Sequence, residues 1–419
     1  MKVLIVTGNP FSTVLNNGKT HEAIFSAFKK DELCQLFCRP VSRECTDFDF
    51  CDSYYTVNEI DIIRKLMFKS RTCGHSGENN DNKYDTKHEI YNKIKGKRKQ
   101  NLGIFRDMLW ATNLWKTKEL KAWCETQNPN IVFISGGGDK YLYNIAMFIA
   151  KLLNIPMIAF FTDDYLIYAR YESFFAKLQQ KRMKYFYKKT IDYASVCYAI
   201  GETMAKEYGD YFNKPFLHIM NAADVLPYVK PKSNAEKPII AYFGGLLLDR
   251  WKMIVRLSNI IYPNANIHVY SFTELSEEIS CAFINSQITY HKGLCGSEFR
   301  DAILNSDILL HVESDNPVLR QFTKLAISTK IPEYLMAGRL TIGFGPAEVA
   351  SMRLLSDNNI GFVISSDASD EDLNKKLMEI LLNYDYRDSI AIRGYDYATS
   401  NFDKTKISQE FKNKLISIL

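Results

Sequence analysis

The sequence predicts an α/β protein of two doubly wound domains that face each other, each a parallel sheet flanked by helices. Three observations predict it. Strand-length apolar runs alternate with amphipathic helix-length runs along almost all of the 419 residues. These runs fall into two series, separated by a proline-rich polar stretch at 226–238. The composition, 46% hydrophobic and 24% charged, is that of a chain able to bury a core in each half.

In the first half the strand candidates are Lys2–Thr7, Leu33–Pro40, Ile131–Ser135, Met157–Phe161, Ser195–Ile200 and Phe216–Met220. In the second half they are Ile239–Phe243, Asn266–Tyr270, Ile288–His291, Ile308–Val312, Leu340–Phe344 and Gly361–Ile364. The stretch Lys69–Gln100 is polar and glycine-containing, and reads as a mobile insertion. From Tyr397 to Leu419, apolar residues spaced three to five apart predict an amphipathic helix, packed at the surface or crossing back to the first domain. The expected domains are therefore 1–228 and 229–395, with a C-terminal helix at 396–419.

Several classes are excluded early. Nine cysteines without a C-x-x-C pair fit reduced thiols better than a zinc site or a disulfide framework. The longest apolar stretch, Tyr141–Phe161, is broken by Lys151, Asn154 and Pro156, so it reads as a helix and a strand, not a membrane span. Lys2–Thr7 reads as a strand and not as a secretory signal. Residues 1–225 hold 32 basic and 25 acidic residues, against 21 and 23 in 226–419. The excess is too modest, without any nucleic-acid motif, to call for DNA or RNA, but it directs an anionic partner to the first domain.

"NNGKT", 16–20, follows the first strand and precedes a helix-like run, as a phosphate loop would. A phosphate loop needs a glycine five residues before Gly18, and that position is Thr13. The stretch therefore reads as a turn, with Asn17 and Gly18 lining a cleft at the carboxyl end of the first strand. An ATP-using enzyme built on this loop is kept as the remote alternative.

The richest segment is Ser328-Thr-Lys-Ile-Pro-Glu-Tyr-Leu-Met-Ala-Gly338. Pro332 and Glu333 suit a helix's first turn, and Gly338 suits its end. A polar loop with Ser328 and Lys330 then feeds a helix start, an arrangement suited to phosphate or ribose. "FFTDDY", 160–165, ends a strand in two carboxylates. Asp163 or Asp164 is a candidate general base for a transfer that inverts the anomeric centre, and a helix cap is the competing role. "SGGGDK", 135–140, reads as a tight strand-to-helix turn. Lys177, Lys181, Lys184 and Lys188, spaced four, three and four, form one basic helical stripe beside Phe174, Phe175, Leu178, Tyr185 and Phe186. Lys93–Lys99 is a second basic run. Both suit docking on an anionic leaflet, a solvated helix face being the alternative.

The Ser328–Gly338 segment resembles the donor-binding segment of GT-B-fold glycosyltransferases of the large group 1 family, as found in bacterial surface-polysaccharide enzymes. Glu333 and Gly338 fall on its Glu-x-[Leu/Met]-x-x-Gly pattern. Ile239–Gly245 followed by Asp249-Arg-Trp-Lys252 resembles that family's strand, glycine turn and basic phosphate contacts. The stretches 291–314, 198–212 and 218–224 resemble its flanking segments. The resemblance covers most of the chain and is weakest over 41–125. It departs at two points: the family's Glu-x7-Glu motif has its first Glu where this chain has Leu325, with Glu313 the nearest substitute, and the glycine pair of the family's first-domain loop is here Asn17-Gly18.

What the resemblance implies is two Rossmann-like domains in GT-B architecture, and a cytoplasmic, membrane-peripheral transferase of hexosyl type. It would move a sugar from a UDP- or GDP-sugar to a saccharide acceptor, lipid-linked, in capsule or O-antigen synthesis. The donor would be held by Gly244, Gly245, Arg250, Lys252, Ser328, Lys330, Ile331 and Glu333, with Asn17 and Gly18 nearby. Asp163, Asp164 and Glu313 would be the catalytic candidates. No metal or further cofactor is called for, and retention is the favoured stereochemistry. A nucleotide-sugar-binding subunit without catalysis is the alternative that Leu325 leaves open.

Overall fold

The structure, a computed structural model, describes residues 1–12, 16–39, 46–76, 101–168, 173–230 and 237–419. Much of the expected insertion, the Lys93–Lys99 run, Cys45 and part of the 226–238 linker lie outside the described residues. The chain forms two compact units. One comprises Met1–Leu166, Tyr171–Ile219 and Ser408–Leu419; the other comprises Ile167–Arg170 and Met220–Ile407. The expected boundaries after 228 and after 395 both lie within the second of these.

In the first unit the elements run β1 (Val3–Thr7), α1 (Asn16–Phe25), β2 (Leu33–Phe37), β3 (Ser53–Thr56), α2 (Glu59–Leu66), β4 (His75–Ser76), α3 (Asn101–Ala111), α4 (Lys118–Gln127), β5 (Ile131–Ser135), α5 (Lys140–Leu153), β6 (Met157–Phe161), α6 (Phe174–Tyr193), β7 (Val196–Ile200), α7 (Gly201–Phe212) and β8 (Phe216–Ile219). They build one sheet in the order β4-β3-β2-β1-β5-β6-β7-β8. Every pairing is parallel except β3 with β4. Strand β1 is fully buried, as an inner strand covered on both faces must be. It pairs with β2 on one side and β5 on the other, Val3 facing both Leu33 and Ile131. The chain order reverses there, so the crevice at the carboxyl ends of β1 and β5 is this sheet's switch point.

Three helix-to-strand joints share one device. Asn128, Asn154 and Asn213 cap α4, α5 and α7 in the left-handed region, and each is followed within two residues by proline. Asparagine tolerates that conformation and proline cannot continue a helix, so each helix stops and the next strand begins three residues after the asparagine.

The second unit contains β9 (Ile239–Phe243), α8 (Arg250–Ile261), β10 (Asn266–Ser271), α9 (Glu277–Asn285), β11 (Thr289–Lys292), α10 (Gly296–Leu304), β12 (Ile308–Val312), α11 (Leu319–Thr323), α12 (Lys330–Met336), β13 (Leu340–Gly345), α13 (Ala350–Asp357), β14 (Phe362–Ser365), α14 (Asp370–Leu382) and α15 (Tyr384–Asn401). Its sheet is parallel throughout, in the order β11-β10-β9-β12-β13-β14. The switch point lies between β9 and β12, where Ile240 faces Ile308. The core packs Ile240, Ile254, Leu257, Ile308, Leu310, Ile342, Leu373 and Leu377 between sheet and helices.

Three expectations are corrected. Strands β3 and β4 extend the first sheet beyond the strands foreseen. Asn16–Lys19 is the first turn of α1 rather than a loop. The C-terminal region is two helices, α15 and α16 (Lys404–Ile416), instead of one. The break at 402–403 has a local cause. Ala223 bonds the chain there, donating its N–H to the Phe402 carbonyl and accepting from the Lys404 N–H. Asp403 Oδ1 then caps Thr405 N at 2.8 Å. The segment Ser408–Leu419, with most of α16, belongs to the first unit, where Ser408 Oγ donates to the Ile24 carbonyl at 2.7 Å and Phe411 lies among Phe25, Phe133 and Tyr198.

The eight described cysteines are free thiols, and six are buried. Among the described residues, no helix is long and apolar enough to cross a membrane.

Candidate functional site

The richest geometry in the second unit sits at the β9/β12 switch point. After β9, Gly244 donates its N–H to the Tyr270 carbonyl, and Tyr242 Oη donates to the Gly245 carbonyl at 2.7 Å, folding the turn back on its own strand. A side chain at Gly245 would meet nothing within 4 Å. Leu248 and Asp249 then both take left-handed backbone, at φ 60° and 57°. For leucine this is strain, of the order of 1–2 kcal/mol. It delivers Arg250 at the start of α8.

Arg250 reaches from the β9 side to the β12 side of the crevice. Its Nη2 lies 3.1 and 3.3 Å from the two carboxylate oxygens of Glu313, the residue after β12. Glu313 is nearly fully buried; burial pushes its carboxyl up, and Arg250 opposes the shift. His311 Nε2 is 3.4 Å from Glu313 Oε1. Burial pushes the His311 imidazole down to about 3, with the positive charges of Arg250 and Lys330 acting in the same direction. It is therefore a neutral group at ordinary pH.

Helix α12 presents two faces. Ile331, Tyr334 and Leu335 are buried, whereas Lys330 and Glu333, three residues apart, share the half-exposed side. Tyr334 Oη accepts the Phe243 N–H at 3.1 Å and bonds the Phe243 carbonyl at 3.2 Å, fixing the helix to the end of β9. The preceding loop is held from two directions. Ser351 Oγ accepts the Ser328 N–H and donates to the Ala326 carbonyl. Asn221 Nδ2 donates to the Ile327 carbonyl. Gly338 ends the helix at φ 62°, where a methyl would lie 2.7 Å from the Tyr228 ring. Ile331 lies in an apolar cluster with Ala223, Leu335 and Phe402. Lys252 pairs with Asp249 at 3.4 Å on the surface.

In the first unit, Asp163 and Asp164 follow β6 at the carboxyl edge of the sheet. They differ. Asp164 is buried, and its Oδ1 accepts from Leu166 N and from Tyr208 Oη, both at 2.9 Å. No helix starts there, so the aspartate closes a turn. Asp163 Oδ2 accepts from Thr162 Oγ1 at 3.1 Å, and burial pushes its carboxyl up, with Asp164 adding to the shift. Gly18 lies inside α1, where a methyl would stand 2.6 Å from the Pro10 carbonyl oxygen and 2.7 Å from Ser12 Cβ. Asn17 is exposed. A methyl on Gly136 would strike the Tyr143 ring at 2.7 Å, and Gly137 takes left-handed backbone at φ 51° while its carbonyl accepts from Tyr143 Oη and Tyr187 Oη.

No protein-family model and no curated protein matches the sequence. Solved structures do match. Anabaena HepE in complex with UDP superposes over 100% of both chains, with a TM-score of 0.65 at 10% identity. Sucrose-phosphate synthase from Thermosynechococcus elongatus superposes over 100% of this chain and 99% of its own, with a TM-score of 0.66 at 10% identity. WaaG, a glycosyltransferase involved in lipopolysaccharide biosynthesis, matches over 98% of each chain, with a TM-score of 0.56 at 12% identity.

The chain has the GT-B fold.

Within this GT-B chain, the second unit brings Arg250, Glu313 and Lys330 together, and leaves Ile331 in the core and Lys252 on the surface. The first unit holds Asp163, Asp164, Asn17 and Gly18. Sequence reasoning missed His311, Tyr334 and Asn221. Each stands within two residues of a residue or motif already singled out, and its role depends on partners distant in sequence. It also missed a charged network at the β1/β5 switch point. Among the described residues, no three His, Cys, Asp or Glu side chains come together as a metal site.

Proposed function

We propose that this chain is a glycosyltransferase that takes a sugar from a UDP- or GDP-sugar bound by its second unit. What carries the reading is the convergence, at the carboxyl edge of the second sheet, of a cation held on a buried carboxylate with a helix that presents Lys330 and Glu333 on one side. Open α/β sheets bind ligands at this edge. Glu333 would bond the ribose hydroxyls; Lys330 and Arg250 would offset the diphosphate charge as the leaving group departs. Glu313 would act as the positioning group for Arg250, occupied by that ion pair. Neutral His311 beside it adds no charge. UDP in the matching HepE structure supports a nucleotide donor.

The first unit would take a saccharide acceptor. Were transfer to invert the anomeric centre, Asp163 would be the base of the aspartate pair, since Asp164 is engaged by Leu166 and Tyr208. The acceptor would be lipid-linked and the product a surface polysaccharide such as capsule or O-antigen. Retention is the favoured stereochemistry. Helix α6 would dock on the inner leaflet: Phe174, Phe175, Leu178 and Tyr185 are all exposed beside Lys177 and Lys181. A second reading, a nucleotide-sugar binder without catalysis, is favoured by one observation. Leu325, at the place of the family's first glutamate, is buried and carries no carboxylate.

Thermal unfolding with UDP, GDP, CMP, ATP and their sugar conjugates tests the proposal. A ligand at a hundredfold excess over its Kd adds roughly 2.7 kcal/mol of stability. Stabilisation by one nucleoside diphosphate and its sugars, lost in Glu333→Ala, is the expected result. Stabilisation by ATP with Mg²⁺ alone would overturn it. Sugar transfer from the stabilising donor then separates enzyme from binder.

A further inference from the structure

Helix α2 ends in a turn whose side chains its own packing does not explain. The Phe68 N–H donates to the Lys65 carbonyl at 3.1 Å, and the Lys69 N–H to the Arg64 carbonyl at 2.8 Å. This paired closure places Phe68 at the position where a helix end most often has glycine, and Phe68 takes left-handed backbone, at φ 55°. At the ends of α4, α5 and α7 the same conformation falls to asparagine, which tolerates it. A bulky residue there is strained. The ring gains nothing from the chain in return. Phe68 is 97% exposed, and Leu66 and Met67 before it are 52% and 54% exposed.

Single exposed apolar residues are ordinary, but three in succession on one protruding turn form a patch that calls for a partner. Phe105 and Met108, one helical turn apart on α3, are exposed as well. Helix α3 packs against α2, with Trp110 Nε1 donating to Glu59 Oε1 at 3.3 Å. Charge is ordered along α2. Glu59 and Asp61 lie in its first turn, where Asp61 accepts the Asn58 N–H. Arg64, Lys69 and Arg71 lie at and beyond its other end. All three are exposed, and none forms an ion pair among the described residues. Cations suit the carboxyl end of any helix, so they do not themselves indicate a ligand. They do choose the partner of the apolar turn. They flank Leu66–Phe68 on both sides, as suits a bilayer, whose anionic phosphates border the acyl chains. A protein partner would need a pocket cut to a protruding ring, whereas a bilayer needs only depth.

We propose that the turn ending α2 is a membrane-insertion tip. Leu66, Met67 and Phe68 enter the acyl region of an anionic bilayer, while Arg64, Lys69 and Arg71 meet its headgroup phosphates. The tip shares no residue with the stripe of α6, and the inference does not rest on the transferase reading.

The test is co-sedimentation of the full chain with phosphatidylcholine vesicles, with and without phosphatidylserine, beside Phe68→Gly and Phe68→Trp. Glycine suits left-handed backbone, so Phe68→Gly should unfold at the same temperature or higher. It should nevertheless bind anionic vesicles at least about tenfold more weakly, the weight of one inserted phenyl ring. Phe68→Trp should bind as the unaltered chain does, and its added fluorescence should be quenched by lipids brominated on their acyl chains. Unchanged vesicle binding in Phe68→Gly overturns the proposal, as does an absence of binding by the unaltered chain. An added indole that brominated acyl chains leave unquenched overturns it too. Equal binding to vesicles with and without phosphatidylserine overturns its anionic part. Lys177→Ser with Lys181→Ser in the same assay reports α6, and UDP binding reports the donor site, so each reading fails separately.

Discussion

Arg250 and Glu313 join the two sides of the second sheet's switch point: one Nη2 donates to both oxygens of a carboxylate nearly fully removed from water. Neither residue is at home there alone. Removing one partner of such a pair typically costs 3–5 kcal/mol, because the other stays buried and uncompensated. Arg250→Met and Glu313→Leu should each destabilise by about 3 kcal/mol, and the double variant by clearly less than their sum. Urea unfolding of the four proteins closes the cycle. Additive losses would mean that the pair is uncoupled in solution.

Gly18→Ala tests whether "NNGKT" is a packed helical turn. The added methyl would lie 2.6 Å from a backbone oxygen, so the chain must move. Overpacking of this kind costs about 1–3 kcal/mol. A drop of that size in unfolding free energy is expected. An unchanged midpoint would return the stretch to an open loop.

His21 gives a pH signature. Burial pushes its imidazole down to about 4, whereas the unfolded chain restores the ordinary value near 6.5. Between these values the unfolded state binds more protons than the native state, so stability falls as pH falls through that window. His311 acts in the same sense, down to about 3. Going from pH 7 to pH 4.5, His21 alone accounts for a loss of about 2.5 kcal/mol. His21→Gln should shrink the acid loss by roughly that amount, measured by denaturant unfolding at the two pH values. An identical acid loss in both proteins would contradict the burial of His21.

Helix α6 supports a vesicle experiment. Phe174 is 76% exposed and Phe175 60%. Lys184 instead lies over the Tyr211 ring and Lys188 pairs with Asp192, so the lysines nearest the two phenylalanines are the ones to change. At about 1 kcal/mol for each lysine near an anionic surface, Lys177→Ser with Lys181→Ser should weaken co-sedimentation with phosphatidylserine vesicles more than tenfold. Phe174→Ser should weaken it further. Binding to neutral vesicles that matches binding to anionic ones would refute the docking.

Most of the sheet framework was legible because parallel strands buried on both faces are apolar throughout. Ile131–Ser135, Met157–Phe161, Ile239–Phe243 and Ile308–Val312 stand as read. Strand β3, Ser-Tyr-Tyr-Thr, follows a run of aspartates and carries half-polar aromatics, so no apolar stretch announces it. Its Tyr55 hydroxyl bonds the Cys73 carbonyl, a partner no local pattern discloses. The same holds at the sites. Glu333 and Gly338 lie in a motif with its own local logic. Arg39, Arg106 and Asp139, the charged network at the β1/β5 switch point, are separated by up to 100 residues, and only the folded sheet edge brings them together.

Residues 408–419 complete the first unit. Phe411 lies among Phe25, Phe133 and Tyr198, and Ser408 bonds both Ile24 and Ala27. During synthesis, the segment that carries Ile24 and Phe25 must therefore wait, with an aromatic hollow open to water, while nearly four hundred residues follow. The second unit is closed by its own late segment, Phe402 and Lys404 against Ala223, which emerges just before Ser408, so it is complete first. Maturation would then run against the order of translation, and a nascent chain stalled before residue 408 would be the species a chaperone meets.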